Sequence, residues 1–144
     1  KTQSEILSGL VGSEMCIRDR LKEVAIPYQK GNSIRIKHMI VRKHSNGYRV
    51  FDCRCNKHIE TVFCKTAAVA IAKGLAEDKN YRIDPVLSLD HQVSKHYNDA
   101  LYAKRSMKNA ENEDTKTTAE IKYDIAVDKA WSCLDQLEKF IFDK

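Results

Sequence analysis

The sequence predicts an α+β fold: a three-stranded antiparallel sheet with one packed helix, followed by a C-terminal antiparallel helical hairpin. Three observations predict it. Between Ile34 and Phe63, short runs with apolar residues at alternate positions are separated by turn residues, the period of half-buried strands. An alanine-rich stretch from Lys65 to Glu77 follows directly. The rest of the chain carries two long apolar repeats at heptad-like spacing, the signature of paired helices.

Gly31-Asn32-Ser33 is a turn cluster. Ile34-Arg35-Ile36-Lys37 then alternates apolar and basic side chains and reads as the first strand. At Met39-Ile40-Val41 three apolar residues run together. Either a bulge or partial cover on both faces accounts for that. Asn46-Gly47 is the strongest short hairpin signal in the chain. It places the second strand at Tyr48 to Cys53, Asn56-Lys57 as the next turn, and the third strand at His58 to Phe63.

Lys65 to Glu77 is predicted as a helix capped by Cys64 or Thr66, Thr66 being the better cap chemically. Ala68, Ile71, Ala72 and Leu75 share one face, and the small alanines let the helix lie close to the sheet. Gly74 inside it costs about 1 kcal/mol relative to alanine. Asp84-Pro85 reads as a break, because proline disfavours helix in the residue before it. The first long helix is placed at Leu89 to Ala110, with Ser88 or Asp90 as cap and Leu89, Val93, Tyr97, Ala100, Lys104 and Met107 as its seam. Lys104 lays its aliphatic stem along that seam. Glu111 to Asp114 is the polar link, and Thr117 with Glu120 fits a capping box. Tyr123, Val127, Ala130, Leu134, Leu137 and Ile141 form the seam of the last helix. Phe140 and Phe142 flank it and offer a docking edge toward the sheet or another subunit.

These elements divide the chain into a non-native or disordered segment at 1–20, a basic β-β-β-α module at 21–84 and a helical hairpin at 85–144. Composition is globular, with 42% hydrophobic and 31% charged residues, which argues against disorder. No apolar run is long enough to span a bilayer and no secretion signal is evident. The cysteines number five. Cys53 and Cys55 are too close along one strand face for an unstrained bridge, so reduced thiols and a cytoplasmic location are expected, host cytoplasm if the protein is viral.

Charge is the most informative property. The whole chain carries +5, but residues 21–65 hold ten Lys and Arg against three Asp and Glu, a local +7. Residues 66–144 carry twelve against fourteen, a net −2. Arg35, Lys37, Arg42 and Arg49 fall on the predicted strands, with Lys43, Arg54 and Lys57 nearby and Tyr48 and Phe51 among them. Cations on a small sheet engage phosphates, and aromatic rings among them can stack bases. Arg35, Lys37, Arg42 and Arg49 are therefore the candidate nucleic-acid-binding residues.

Two resemblances bear on this reading. Residues 34–77, in the order strand, Asn-Gly turn, strand, turn, strand, helix, resemble the sheet-plus-helix modules of AP2-type plant transcription factors and integrase arm-binding domains. The tryptophan and arginine landmarks of the AP2 strands are missing here. The resemblance implies a three-stranded sheet lying on DNA, with Arg35, Lys37, Arg42 and Arg49 at the contact. The segments Asn46-Gly47-Tyr48, Cys64-Lys65-Thr66-Ala67-Ala68, His96-Tyr97-Asn98-Asp99-Ala100 and Tyr123-Asp124-Ile125-Ala126-Val127 are similar to uncharacterised proteins of T4-like phages of marine cyanobacteria, which implies no activity. Val11–Arg20, VGSEMCIRDR, resembles a translated sequencing-adaptor remnant, which implies a natural protein beginning near Leu21.

Other chemistries are weaker. Cys53, Cys55, His58 and Cys64, with His44 nearby, are metal-ligand types, but one intervening residue between the first two is wrong for a common zinc turn. Glu120, Asp124 and Asp128 recur every fourth residue on the last helix, a pattern that a solvated face explains, eased by Lys104, Arg105 and Lys108 on the partner helix. No phosphate loop, nucleophile elbow or tight Cys/His motif appears. The expectation is a non-enzymatic accessory protein, without cofactor or metal, that binds nucleic acid non-specifically. The alternative is a protein–protein adaptor or structural factor acting through the helical hairpin, with a second copy or another protein as partner, again without a membrane role.

Overall fold

The computed structural model describes residues 29–30, 33–45 and 47–142. The segment 1–20 read above as a remnant lies outside these residues. An antiparallel sheet is followed by three helices. Strands β1 (Gln29–Lys30), β2 (Ser33–Ile36), β3 (Met39–His44), β4 (Gly47–Asp52) and β5 (Lys57–Val62) lie in sequence order across the sheet. Four of them run four to six residues and β1 is a two-residue ladder, so the sheet exceeds the three strands predicted. Helices α1 (Lys65–Glu77), α2 (Asp84–Lys108) and α3 (Glu113–Phe142) complete the fold. Among the described residues no helix is long and apolar enough to cross a membrane.

The additional strand comes from a turn that the sequence conceals. Ile36 pairs with Met39, so Lys37 and His38 form a two-residue reversal with Lys37 at φ 54°. Such turns require positive φ, normally supplied by Gly, Asn or Asp, and a lysine gives no warning. The apolar run at 39–41 is thus no bulge in the pairing of β2 or β4 with β3, and the alternative of partial cover on both faces holds. The run is a fresh alternation, with Met39 and Val41 buried and Ile40 half-buried. The next hairpin closes with His44 opposite Gly47, one residue earlier than an Asn46-Gly47 turn would. Gly47 belongs to β4, where a Cβ would collide with the Val62 carbonyl oxygen.

Helix α1 has the predicted ends but a different setting. Every residue from Thr66 to Ala72 is buried, as expected of a helix apolar all round. It contacts β2, β3, β4 and β5 and also α2 and α3. One continuous core runs from Ile34, Met39, Val41 and Val50 through Val69 and Ile71 to Val86, Val93, Leu134, Leu137 and Ile141. Full burial of each such side chain stabilises by about 1.5–3 kcal/mol.

Pro85 does not stop a helix; it lies in the first turn of α2, where its missing N–H costs nothing. Helix α3 likewise begins before the predicted capping box. Asn112 Oδ1 accepts from the Thr115 N–H at 2.9 Å and its hydroxyl at 3.0 Å, an Asn cap. A second cluster joins Ala100, Ala103 and Met107 of α2 to Ala119, Tyr123, Ala126 and Val127 of α3. All six seam positions predicted for the last helix are buried.

Candidate nucleic-acid interface

Strand alternation gives the sheet two unlike faces. Ile34, Ile36, Met39, Val41, Tyr48, Val50 and Val62 point to α1 and are buried. Tyr48 is therefore unavailable to a ligand. The opposite face carries Arg35 of β2, Ile40 and Arg42 of β3, Arg49 and Phe51 of β4, and His58 and Thr61 of β5. Arg35, Arg42 and Arg49 are all exposed. Lys37 is exposed too, but in the turn at the sheet's end rather than on the face.

The register brings the arginines together. Arg42 pairs directly with Arg49, and Arg35 pairs with Ile40, one diagonal step from Arg42. Directly opposed side chains stand about 5 Å apart at Cβ and diagonal ones about 7–8 Å. Like charges so placed repel. Among the described residues none of the three guanidiniums pairs with a carboxylate, and no Asp or Glu occupies this face. Glu60 lies opposite Val50 and Asp52 opposite Met39, both on the α1 side.

Local contacts order part of this cationic surface. Arg35 Nε donates to the Lys37 carbonyl at 3.0 Å. The Arg42 guanidinium lies over the Phe51 ring, 5.7 Å from its centroid, a cation–π contact. Phe51 meets the His58 ring at 5.5 Å in an edge geometry of 66°, and His58 Nε2 shares a 2.8 Å hydrogen bond with Thr61 Oγ1. The pairing of β4 with β5 shifts between Val50 and Phe51. Bulges of this kind re-aim side chains, and here Phe51 and His58 are the residues beside it. Phe51 stays half-buried, directly opposite Ile40.

Other predicted candidates lie elsewhere. Arg54 is engaged by Asp52 at 3.0 Å in the turn after β4. The hydrogen bonds from the Arg54 side chain and then its backbone hold the Asp52 carboxyl below the usual carboxylate range. Cys55 is exposed and Cys64 buried; among the described residues no three His, Cys, Asp or Glu side chains converge as a metal site would require. Burial, and then the nearby Asp90 charge, push the Cys64 thiol well up, which makes it a poor nucleophile. Asp124 and Asp128 are exposed on α3 and Glu120 is half-buried.

Sequence reasoning missed the residue that anchors this architecture. Asp90 of α2 is buried, and its Oδ1 accepts from the Cys64 N–H at 3.0 Å and the Phe63 N–H at 3.1 Å. Oδ2 accepts from the Phe63 N–H at 2.9 Å, and the Cys64 thiol donates to Oδ1 at 3.2 Å. Burial pushes the Asp90 carboxyl upward, against the effect of these bonds. The link spans 26 residues, so only a lone acid at a predicted helix start was visible in sequence.

A groove of about 790 Å³ between α2 and α3 is the other notable surface. Tyr102 and Ile125 border it with 74% and 49% exposure, and Lys95, Lys122 and Lys129 line it. No known protein family, curated protein or solved structure matches the chain.

Proposed function

We propose that this chain is a non-enzymatic cytoplasmic accessory protein that binds nucleic acid, without sequence preference, through the outer face of its sheet. One observation carries the reading: Arg35, Arg42 and Arg49 gather on a face that bears no acid among the described residues and that α1 leaves uncovered. The β-sheet brings the cations close despite their repulsion, and a phosphate chain relieves that repulsion by binding. Lys37 extends the charge at one end. Backbone contact of this kind positions a nucleic acid and carries no base information.

The test is a titration of a labelled duplex. Three neutralised phosphates give a log–log salt slope of about −2.7, so affinity should fall about 40-fold between about 50 and 200 mM salt. Reversing Arg35, Arg42 and Arg49 to glutamate should abolish binding and leave the circular dichroism spectrum intact, because all three are exposed. Absence of binding to duplex and single strands at low salt refutes the proposal. A second reading has its own support. The exposed Tyr102, Ile121 and Ile125 on the long helices suit a protein adaptor or homodimer acting through a helical hairpin. Concentration-dependent sedimentation, lost on Tyr102→Ser with Ile125→Ser, favours that reading.

A further inference from the structure

We infer that the outer face takes single-stranded rather than duplex nucleic acid, with an unpaired base stacked on the Phe51 ring. The inference rests on the nucleic-acid reading above and deepens it. A surface that only neutralised phosphates would need no aromatic at its centre. This one places Phe51 and Ile40, both half-buried and paired across β3 and β4, among Arg35, Arg42 and Arg49. Arg49 lies two residues from Phe51 on the same strand and face, about 7 Å away. Arg42 already sits over the ring. A base laid on Phe51 therefore has cations within reach of its flanking phosphates.

Bases in a duplex are stacked on one another and present only their edges in the grooves, so the ring of a flat sheet cannot face them. Unpaired bases can splay onto aromatic side chains and guanidinium planes, and every base has a π-face. The Arg42–Phe51 contact then has a role in the free protein: the guanidinium shields the ring until a base takes its place and Arg42 turns to the phosphate. His58, held by Thr61 against the Phe51 ring, limits the motion of the platform from the β5 side.

The experiment compares oligo(dT) of about 20 nucleotides with a duplex of equal length at low salt. Tighter binding of the single strand is expected. Phe51→Leu keeps the apolar cover over Ile40 but removes the π-face; it should weaken oligo(dT) binding about 5- to 150-fold and weaken duplex binding by a smaller factor. Phe51→Tyr should retain wild-type preference. As an independent readout, an iodouracil-substituted strand irradiated on the wild-type protein should crosslink to Phe51. Equal affinity for the two forms, an unchanged oligo(dT) affinity in Phe51→Leu, or crosslinks only elsewhere overturns the inference while the arginine contact stands. Failure of the wild type to bind either form overturns the nucleic-acid reading as well.

Discussion

Replacing Asp90 by alanine tests how the helices are tied to the sheet. The carboxylate accepts from two backbone N–H groups and one thiol at the junction of β5 and α1. The alanine variant takes this acceptor away from those donors. A buried donor without a partner costs about 1–3 kcal/mol. Two such N–H groups, one of them only half-buried, give about 2–4 kcal/mol after relief of the buried charge. Asp90→Asn keeps an oxygen where Oδ1 accepts both N–H groups, and should stay within about 1 kcal/mol of wild type. Urea melts followed by circular dichroism measure both. The pH dependence has a definite sign. Burial raises the folded pKa of Asp90, so the native state holds its proton longer than the unfolded chain. This group's contribution is full below the unfolded pKa and declines as pH rises through the folded one. Asp90→Asn should therefore gain on wild type from acid toward neutral pH. An alanine variant within about 0.5 kcal/mol of wild type would refute the assigned role.

Two further substitutions probe packing. Leu134→Ala, at a fully buried position in the main core, should cost about 2–5 kcal/mol in the same melts; a change under about 0.5 kcal/mol would mean the core closes without it. Gly74→Ala should destabilise, reversing the roughly 1 kcal/mol helix gain expected at an open site, because a Cβ there would run into the Tyr81 ring. Adding Tyr81→Ala should restore that gain.

The legible parts of the fold are those set by periodicity. The seam of α3 and both ends of α1 follow from local spacing that tertiary packing does not override. The shared face of Arg42 and Arg49 survives a misplaced turn. An Asn46-Gly47 turn would set Ser45 opposite Tyr48, whereas His44 lies opposite Gly47. That difference slides the strands by two residues, an even number, so Arg42 and Arg49 keep a common face. Lys37 was misplaced because nothing in a lysine announces positive φ. Pro85 was read as a breaker because its effect on the preceding residue and its fitness for a first helical turn are both local rules, and only tertiary packing chooses between them. Asp90 was invisible as an anchor because its partners are distant in sequence. Tyr48 was grouped with the cations by proximity, although alternation turns it toward α1.

The encirclement of α1 from Thr66 to Ala72 also governs the order in which the molecule can assemble. The sheet is a meander of neighbouring hairpins, and contacts of such short range form early. Helix α1 follows at once and can settle on the sheet. Its remaining sides are closed by α2 and by Leu134, Leu137 and Ile141, and the Lys73 ammonium reaches the Ile141 carbonyl in the last turns of α3. Until those turns are delivered, the flanks of α1 that Leu134, Leu137 and Ile141 cover have no partner in the chain. A chain in that state is prone to aggregate and is what chaperones bind, so the interval between α1 and the end of α3 is when this protein is most exposed to loss.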